Sequence, residues 1–270
     1  MKGLRRSMKR GGQNLYEDAV YLFVSKSGDD AKGNGTIGSP FLTITQAFAQ
    51  VTTARTKIFV FSGVYDEAAA MSWPTYDNVE LIGIGTVIIS AAGTTQIIDI
   101  TPGALTETFD AKMENIYLDH SNAGQDGILI DNTDTTKKII LTLKDVGGDN
   151  DAGVGGDMIA TVHADTSNAI RIYWDGDGGN GVEGRVNYTT ADGGDRVYIS
   201  NCWLAGGLNT SVTDIATDLR LRNCVIKHEG ITGGHSTQTL DIVNCYSETA
   251  GTFAAADADD VQGDQTETIV

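Results

Sequence analysis

Val197-Tyr198-Ile199-Ser200-Asn201-Cys202-Trp203-Leu204, Leu219-Arg220-Leu221-Arg222-Asn223-Cys224-Val225-Ile226 and Leu240-Asp241-Ile242-Val243-Asn244-Cys245-Tyr246 are three versions of one pattern. Each leads with alternating residues and closes on Asn-Cys, and these pairs recur 22 and 21 residues apart. Alternation with period two marks a half-buried strand, and a fixed return of the same pair marks a repeat. A period of roughly 20 to 30 residues leaves no room for a helix in every repeat, so the pattern predicts stacked parallel strands, one coil per repeat. Successive coils should lie about 4.8 Å apart, the spacing of hydrogen-bonded strands.

The template extends toward the N-terminus through Leu141-Thr142-Leu143-Lys144-Asp145-Val146 and Ala111-Lys112-Met113-Glu114-Asn115-Ile116. The polar column then reads Asn115, Asp145, Asn201, Asn223, Asn244, with Cys202, Cys224 and Cys245 as a parallel row beside it. Val79 to Ile84 and Ile58 to Gly63 fit as earlier coils, with Gly83 and Ser62 in the Asn position. Ile170 to Asp175 fits only with Trp174 in that column or with a one-residue bulge. Asn tolerates a left-handed backbone and its amide can bond both the local main chain and the Asn stacked above. The column is therefore expected to be a structural ladder, without chemistry of its own.

The formal charge is −17, yet Lys2, Arg5, Arg6, Lys9 and Arg10 place five cations and no acid in the first twelve residues. An acidic body repels nucleic acid and anionic membranes, so neither is expected as its main partner. No stretch reaches the roughly 18 apolar residues of a membrane span, and the basic N-terminus lacks the apolar run of a secretory signal. Three cysteines at equivalent positions of adjacent coils suit small, reduced core fillers rather than a metal-ligand spacing. With 33 glycines against 3 prolines the chain suits short strands and tight turns.

Three segments follow: a basic arm over 1–18, a body over 19–253, and an acidic tail over 254–270. Near 43–52, Ile44, Ala47, Phe48 and Val51 share one helical face behind Thr43, a good N-cap. A short helix there would cover the apolar cross-section of the first coil.

Val24-Ser25, Gly28-Asp29, Gly33, Gly35-Thr36, Ser39-Pro40-Phe41, Thr43-Ile44 and Ala47, followed by Ile58 to Tyr65 and Glu67, resemble the N-terminal module of pectate-lyase-like β-helices. The Asn-Cys strands are similar to the repeats of that superfamily. The resemblance covers roughly residues 20–250 and implies an all-β fold, a right-handed single-stranded parallel β-helix with a short N-terminal capping helix. The superfamily holds polysaccharide lyases, polygalacturonases, pectin esterases and virion proteins of tailed bacteriophages, so fold alone does not choose a function.

Lyases of this kind imply Ca²⁺ held by clustered carboxylates beside an Arg or Lys base, and no such cluster is legible here. Of the polygalacturonase signatures, Asn132-Thr133-Asp134 and Gly234-His235 match fragments, while the paired-Asp and Arg-Ile-Lys motifs are missing. The runs Gly147 to Asp151 and Asp175 to Asn180 offer oxygen atoms to a hard cation, but neither matches a known calcium loop, and solvated turns are expected. Whether they take a metal is left open. His120, His163, His228 and His235 are scattered and expected as single surface or turn groups. Trp73, Trp174 and Trp203 are expected in the coil interior, the alternative being a sugar-stacking platform.

No catalytic residue and no cofactor is therefore assigned. The resemblance, the missing export signal, the incomplete catalytic signatures and the charged arm together suggest a non-enzymatic structural protein of a tailed-phage virion. It would be a capsid decoration or spike-like protein on the particle surface, made in the host cytoplasm and self-associating as a trimer. Lys2, Arg5, Arg6, Lys9 and Arg10 would attach it to a capsid or other virion protein, with a host-surface glycan as a further partner. The alternative is a polysaccharide-degrading or polysaccharide-binding β-helix, free or as a tailspike.

Overall fold

The fold is taken from a computed structural model that describes residues 20–93, 95–103, 108–120, 124–132, 138–149, 156–163, 170–176, 181–182, 185–187, 195–209, 218–226, 231–232, 239–247, 260–262 and 265–266. These form one short helix and 22 strands. The chain opens with β1 (Tyr21–Val24), the helix α1 (Ile44–Ala49), β2 (Lys57–Glu67) and β3 (Met71–Ser72). Then come three pairs: β4 (Val79–Ala91) with β5 (Gln96–Ile100), β6 (Phe109–Asp119) with β7 (Asp126–Asn132), and β8 (Ile139–Asp149) with β9 (Asp157–His163). Triplets follow: β10 (Ile170–Asp175), β11 (Gly181–Val182) and β12 (Arg185–Asn187), then β13 (Arg196–Ser200), β14 (Trp203–Leu204) and β15 (Leu208–Asn209). The last are β16 (Asp218–Arg222), β17 (Val225–Ile226), β18 (Ile231–Thr232), β19 (Thr239–Val243), β20 (Tyr246–Ser247), β21 (Asp260–Gln262) and β22 (Gln265–Thr266).

All pairings between these strands are parallel, and each strand pairs with its counterpart one repeat away. They make a 15-stranded and a 7-stranded sheet. The architecture is thus a nearly all-β stack of parallel strands, of the kind a solenoid uses. The stacking reaches β21 and β22, which lie within 254–270, the stretch that composition marks as a tail.

Register explains the alternation in the sequence. Leu22, Ile58, Leu81, Met113, Leu143, Trp174, Ile199, Leu221 and Ile242 stand opposite one another on successive strands, each at most 1% exposed. Met71, Ile98, Ile128, Ile159, Val186 and Leu208 form the matching buried column of the smaller sheet. Both columns belong to one continuous core. Burying each such side chain contributes roughly 1.5–3 kcal/mol, and a slip of one residue would turn a whole strand inside out.

Between the first and second strand segments of a repeat sits the polar column. Asn115, Asp145, Asn201, Asn223 and Asn244 all have positive φ, between 51° and 56°. In the early repeats the bend lies inside one long strand, as in β6 and β8; later the strand is broken there into β13 and β14, or β16 and β17. Two placements differ from expectation. Trp174 lies opposite Leu143 and Ile199 in the core column, so Gly176 takes the Asn position, where a Cβ would stand 2.7 Å from the Asn201 carbonyl oxygen. The bulky indole mimics the missing Asn only in sequence; its register is set by burial. In β2, Val60 rather than Ser62 faces Gly83, because Ile58 aligns with Leu81 in the buried column; the bulge between Phe61 and Gly63 follows that pair.

The helix closes the N-terminal end. Phe41, Ile44, Ala47, Phe48 and Val51 are all buried, and Phe48 packs edge-on against Trp73 at 5.2 Å between ring centroids. Thr43 accepts from the Gln46 N–H at 3.1 Å. The carboxylate of Glu67, buried at the end of β2, accepts from the Ile44 N–H at 2.8 Å and the Thr45 hydroxyl at 2.6 Å. Asp30 accepts from the Leu42 N–H at 2.7 Å and the Thr43 hydroxyl at 2.8 Å. Glu67 thus ties this cap to the stack through an otherwise unsatisfied N–H, while Asp30 fixes the connection that leads into it.

Candidate functional site: the outer face of the larger sheet

Alternation that sends one set of side chains into the core sends the other outward, and the parallel register gathers it into columns. One column runs Tyr21, Lys57, Glu80, Lys112, Thr142, Tyr173, Tyr198, Arg220, Asp241. Beside it run Arg171, Arg196 and Asp218 on one flank and Glu114, Lys144, Asp175, Ser200 and Arg222 on the other. The chain is acidic, yet this face gathers seven of its basic side chains.

Most of these charges are paired across repeats. Lys57 and Lys112 flank Glu80 at 2.9 and 3.8 Å, and Lys144 meets Glu114 at 2.6 Å. Arg220 bonds Asp218 through Nε at 3.0 Å, the Tyr198 hydroxyl donates to the same carboxylate at 2.5 Å, and the Arg220 guanidinium lies 4.9 Å from the Tyr198 ring centroid. Burial alone would raise the Asp218 carboxyl, but hydrogen bonds from Arg220 and Tyr198 and the nearby Arg charges outweigh it and hold it below the usual carboxylate value. Burial, then the bond to Asp218, pushes the Tyr198 phenol up. Arg222 reaches Asp241 at 3.5 Å. Tyr198, Ile199, Ser200, Arg220 and Arg222 line a depression of about 290 Å³.

A larger depression, about 450 Å³, lies at the bend and is lined by Gly85, Thr86, Val87, Ile88, Asn115, Ile116, Tyr117 and Asp145. Its polar groups serve the corner: the Asn115 amide donates to the carbonyls of Gly83 and Gly85 at 2.9 and 3.0 Å. The later ladder residues bond one another, Asn223 to the Asn201 amide oxygen at 3.1 Å and Asn244 to that of Asn223 at 3.4 Å. Cys202, Cys224 and Cys245 form no disulfide and are buried beside them, and a bond with the Cys245 side chain leads the causes that lower the Cys224 thiol. Lys2, Arg5, Arg6, Lys9 and Arg10 lie outside the described residues.

The remaining candidates scatter. Asn132 is buried, while Thr133, Asp134, Gly234, His228 and His235 lie outside the described residues, as do Asn150, Asp151 and 177–180 of the acidic runs. His120 is fully buried rather than superficial, 3.3 Å from the Gln125 carbonyl oxygen through Nδ1. Trp73 and Trp174 are interior, but Trp203 is 40% exposed. Among the described residues no group of three or more His, Cys, Asp or Glu side chains is placed to hold a metal ion, and no helix is long and apolar enough to cross a membrane. The Arg-Tyr face escaped the sequence reading because its members sit 20 to 25 residues apart; the signal was the set of outward positions between the apolar ones, Arg171, Tyr173, Arg196, Tyr198, Arg220 and Arg222. Comparison with protein-family models, curated proteins and solved structures found no match. The class the fold defines is a parallel-strand stack with an ion-paired outer wall.

Proposed function

We propose that this chain is a non-enzymatic structural protein, a closed right-handed parallel β-helix borne on a tailed-phage virion as a capsid decoration or spike-like protein. The observation that supports it best is the point where the basic arm joins the body. Val20 leads straight into β1, the end strand of the larger sheet, beside the helix that covers that end of the stack. An arm attached at that end would let the protein be held by its capped end while the rest of the stack stands away from the particle. Right-handedness follows from the general rule for crossovers between parallel strands, since a right-twisted strand packs back on its sheet in that sense. Self-association, as a trimer, would cover exposed apolar groups such as Val64 and Ile84, 50% and 41% exposed.

The test is deletion of residues 1–12 followed by co-sedimentation of the folded protein with whole particles over a salt series. Weaker and less salt-sensitive binding is expected, since the five cations act through screened attraction. Full, salt-sensitive binding by the truncated protein removes the arm from the mechanism, and cleavage of an acidic polysaccharide by the purified protein overturns the non-enzymatic assignment. One observation favours a second function, polysaccharide binding: the exposed Trp203 ring offers a flat apolar face. Loss of glycan binding in Trp203→Ala would support it.

A further inference from the structure

On the outer face of the larger sheet, two arginines meet where the rest of the wall sets a cation against an anion. Arg171 of β10 and Arg196 of β13 are directly opposite each other in register. Opposed positions on parallel strands are about 4.8 Å apart, a separation at which like charges repel. Elsewhere on this wall a cation faces an anion, as Lys57 faces Glu80 and Lys144 faces Glu114. Arg196 also has Asp218 opposite it on β16 and its charge helps to hold that carboxyl down, whereas Arg171 has no anion opposite it. Among the described residues neither Arg171 nor Arg196 has an ion-pair partner, and the neighbouring carboxylates are committed. Asp195 accepts from the Ile170 N–H at 2.6 Å, Asp175 accepts from Ser200 and Asn201 at 2.8 Å each, and Asp218 is held by Tyr198 and Arg220. The Arg171 Nε is moreover buried, with no hydrogen-bond partner among the described residues. A buried unbonded donor is costly, and it sits on a cation already facing another cation.

Both features describe a site completed by a ligand. We propose that Arg171 and Arg196 bind a tetrahedral oxyanion, the phosphate or sulfate group of a small ion or of an ester. Guanidinium forks match such oxygens with paired N–H donors, and an anion between two cations turns repulsion into attraction. Two residues further along the same strands, Tyr173 and Tyr198 pack edge to face at 5.3 Å, forming an aromatic floor beside the anion. That floor would accept the sugar ring of a phosphorylated or sulfated saccharide, whereas a free ion would use the arginines alone.

Calorimetric titration of the full chain with inorganic sulfate, inorganic phosphate and glucose 6-phosphate, at an ionic strength matched with chloride, tests the assignment. Sulfate or phosphate should bind, and Arg171→Gln/Arg196→Gln should weaken binding by about tenfold or more. The five cations of the arm are common to both proteins, so the difference reports the wall. Arg171→Lys keeps the charge but loses the fork and should fall between the two. Without anion, Arg171→Gln should raise the melting temperature by relieving the repulsion, an outcome that a purely structural arginine would reverse. Tighter binding of glucose 6-phosphate than of inorganic phosphate assigns the site to an ester; equal binding assigns it to the free ion. Equal affinities in the wild-type and doubly substituted chains, or a response to sulfate no larger than to chloride, would overturn the proposal.

Discussion

At the scale of single residues, the backbone of the polar column carries most of the local specificity. A left-handed φ near 50° is unfavourable for most side chains, and Asn tolerates it best after Gly. Leu in place of Asn223 would keep the strain and lose the bonds to Asn201 and from Asn244. Asn223→Leu should therefore lower stability by about 1–3 kcal/mol in chemical denaturation. Asn223→Gly should cost less, since it relieves the backbone. Tyr65 offers a pH test. Burial is the main cause pushing its phenol up to about 12, while its hydroxyl donates to the Phe61 carbonyl at 2.7 Å. The neutral form is the one the fold favours, so its contribution is complete below the ordinary value near 10 and is lost as pH rises through about 12. Melting temperatures followed from pH 9 upward should show a smaller alkaline decline in Tyr65→Phe than in the native chain. The Asn-Cys pairs made the column legible, because one polar residue recurring in an apolar frame is visible in any single chain. Gly176 was not, since a glycine carries no side chain to betray its place in a column.

At the scale of elements, the helix α1 has only six residues and no stability of its own. Its apolar face holds it to the first strands, and Glu67 holds its N-terminus from a strand that follows it in the chain. Phe48→Ala should cost about 3–5 kcal/mol, because the ring sits in a closed site against Trp73. A loss below about half a kcal/mol would mean that the ring contributes no core packing. Glu67→Ala leaves the Ile44 N–H buried without an acceptor and should cost about 1–3 kcal/mol, whereas Glu67→Gln keeps an acceptor and should lose less. The helical face of residues 44–51 was legible from its periodicity, and so was its capping role. Glu67 as its anchor was not, for a contact between elements 23 residues apart leaves no periodic trace.

At the scale of the whole molecule, each repeat touches mainly its neighbours, so stability is spread along the stack rather than lodged in one centre. Deleting residues 1–12, which precede β1, should therefore leave the melting temperature and the strand signature in circular dichroism unchanged. A large drop would show that the arm packs on the body. The amino-acid sequence by itself determined the parallel stack, the Asn column and the capping helix, because each depends on a short-range period that burial imposes on neighbouring residues. Only the tertiary structure decided register: Trp174 in the core, Gly176 at the bend, Val60 opposite Gly83, and Arg171 facing Arg196. Register is a relation between strands some 20 to 30 residues apart, set by whichever alignment buries the apolar columns together. The outward residues take the partners that alignment leaves them, and the meeting of two arginines on an otherwise paired wall is a consequence of packing on the other side of the sheet.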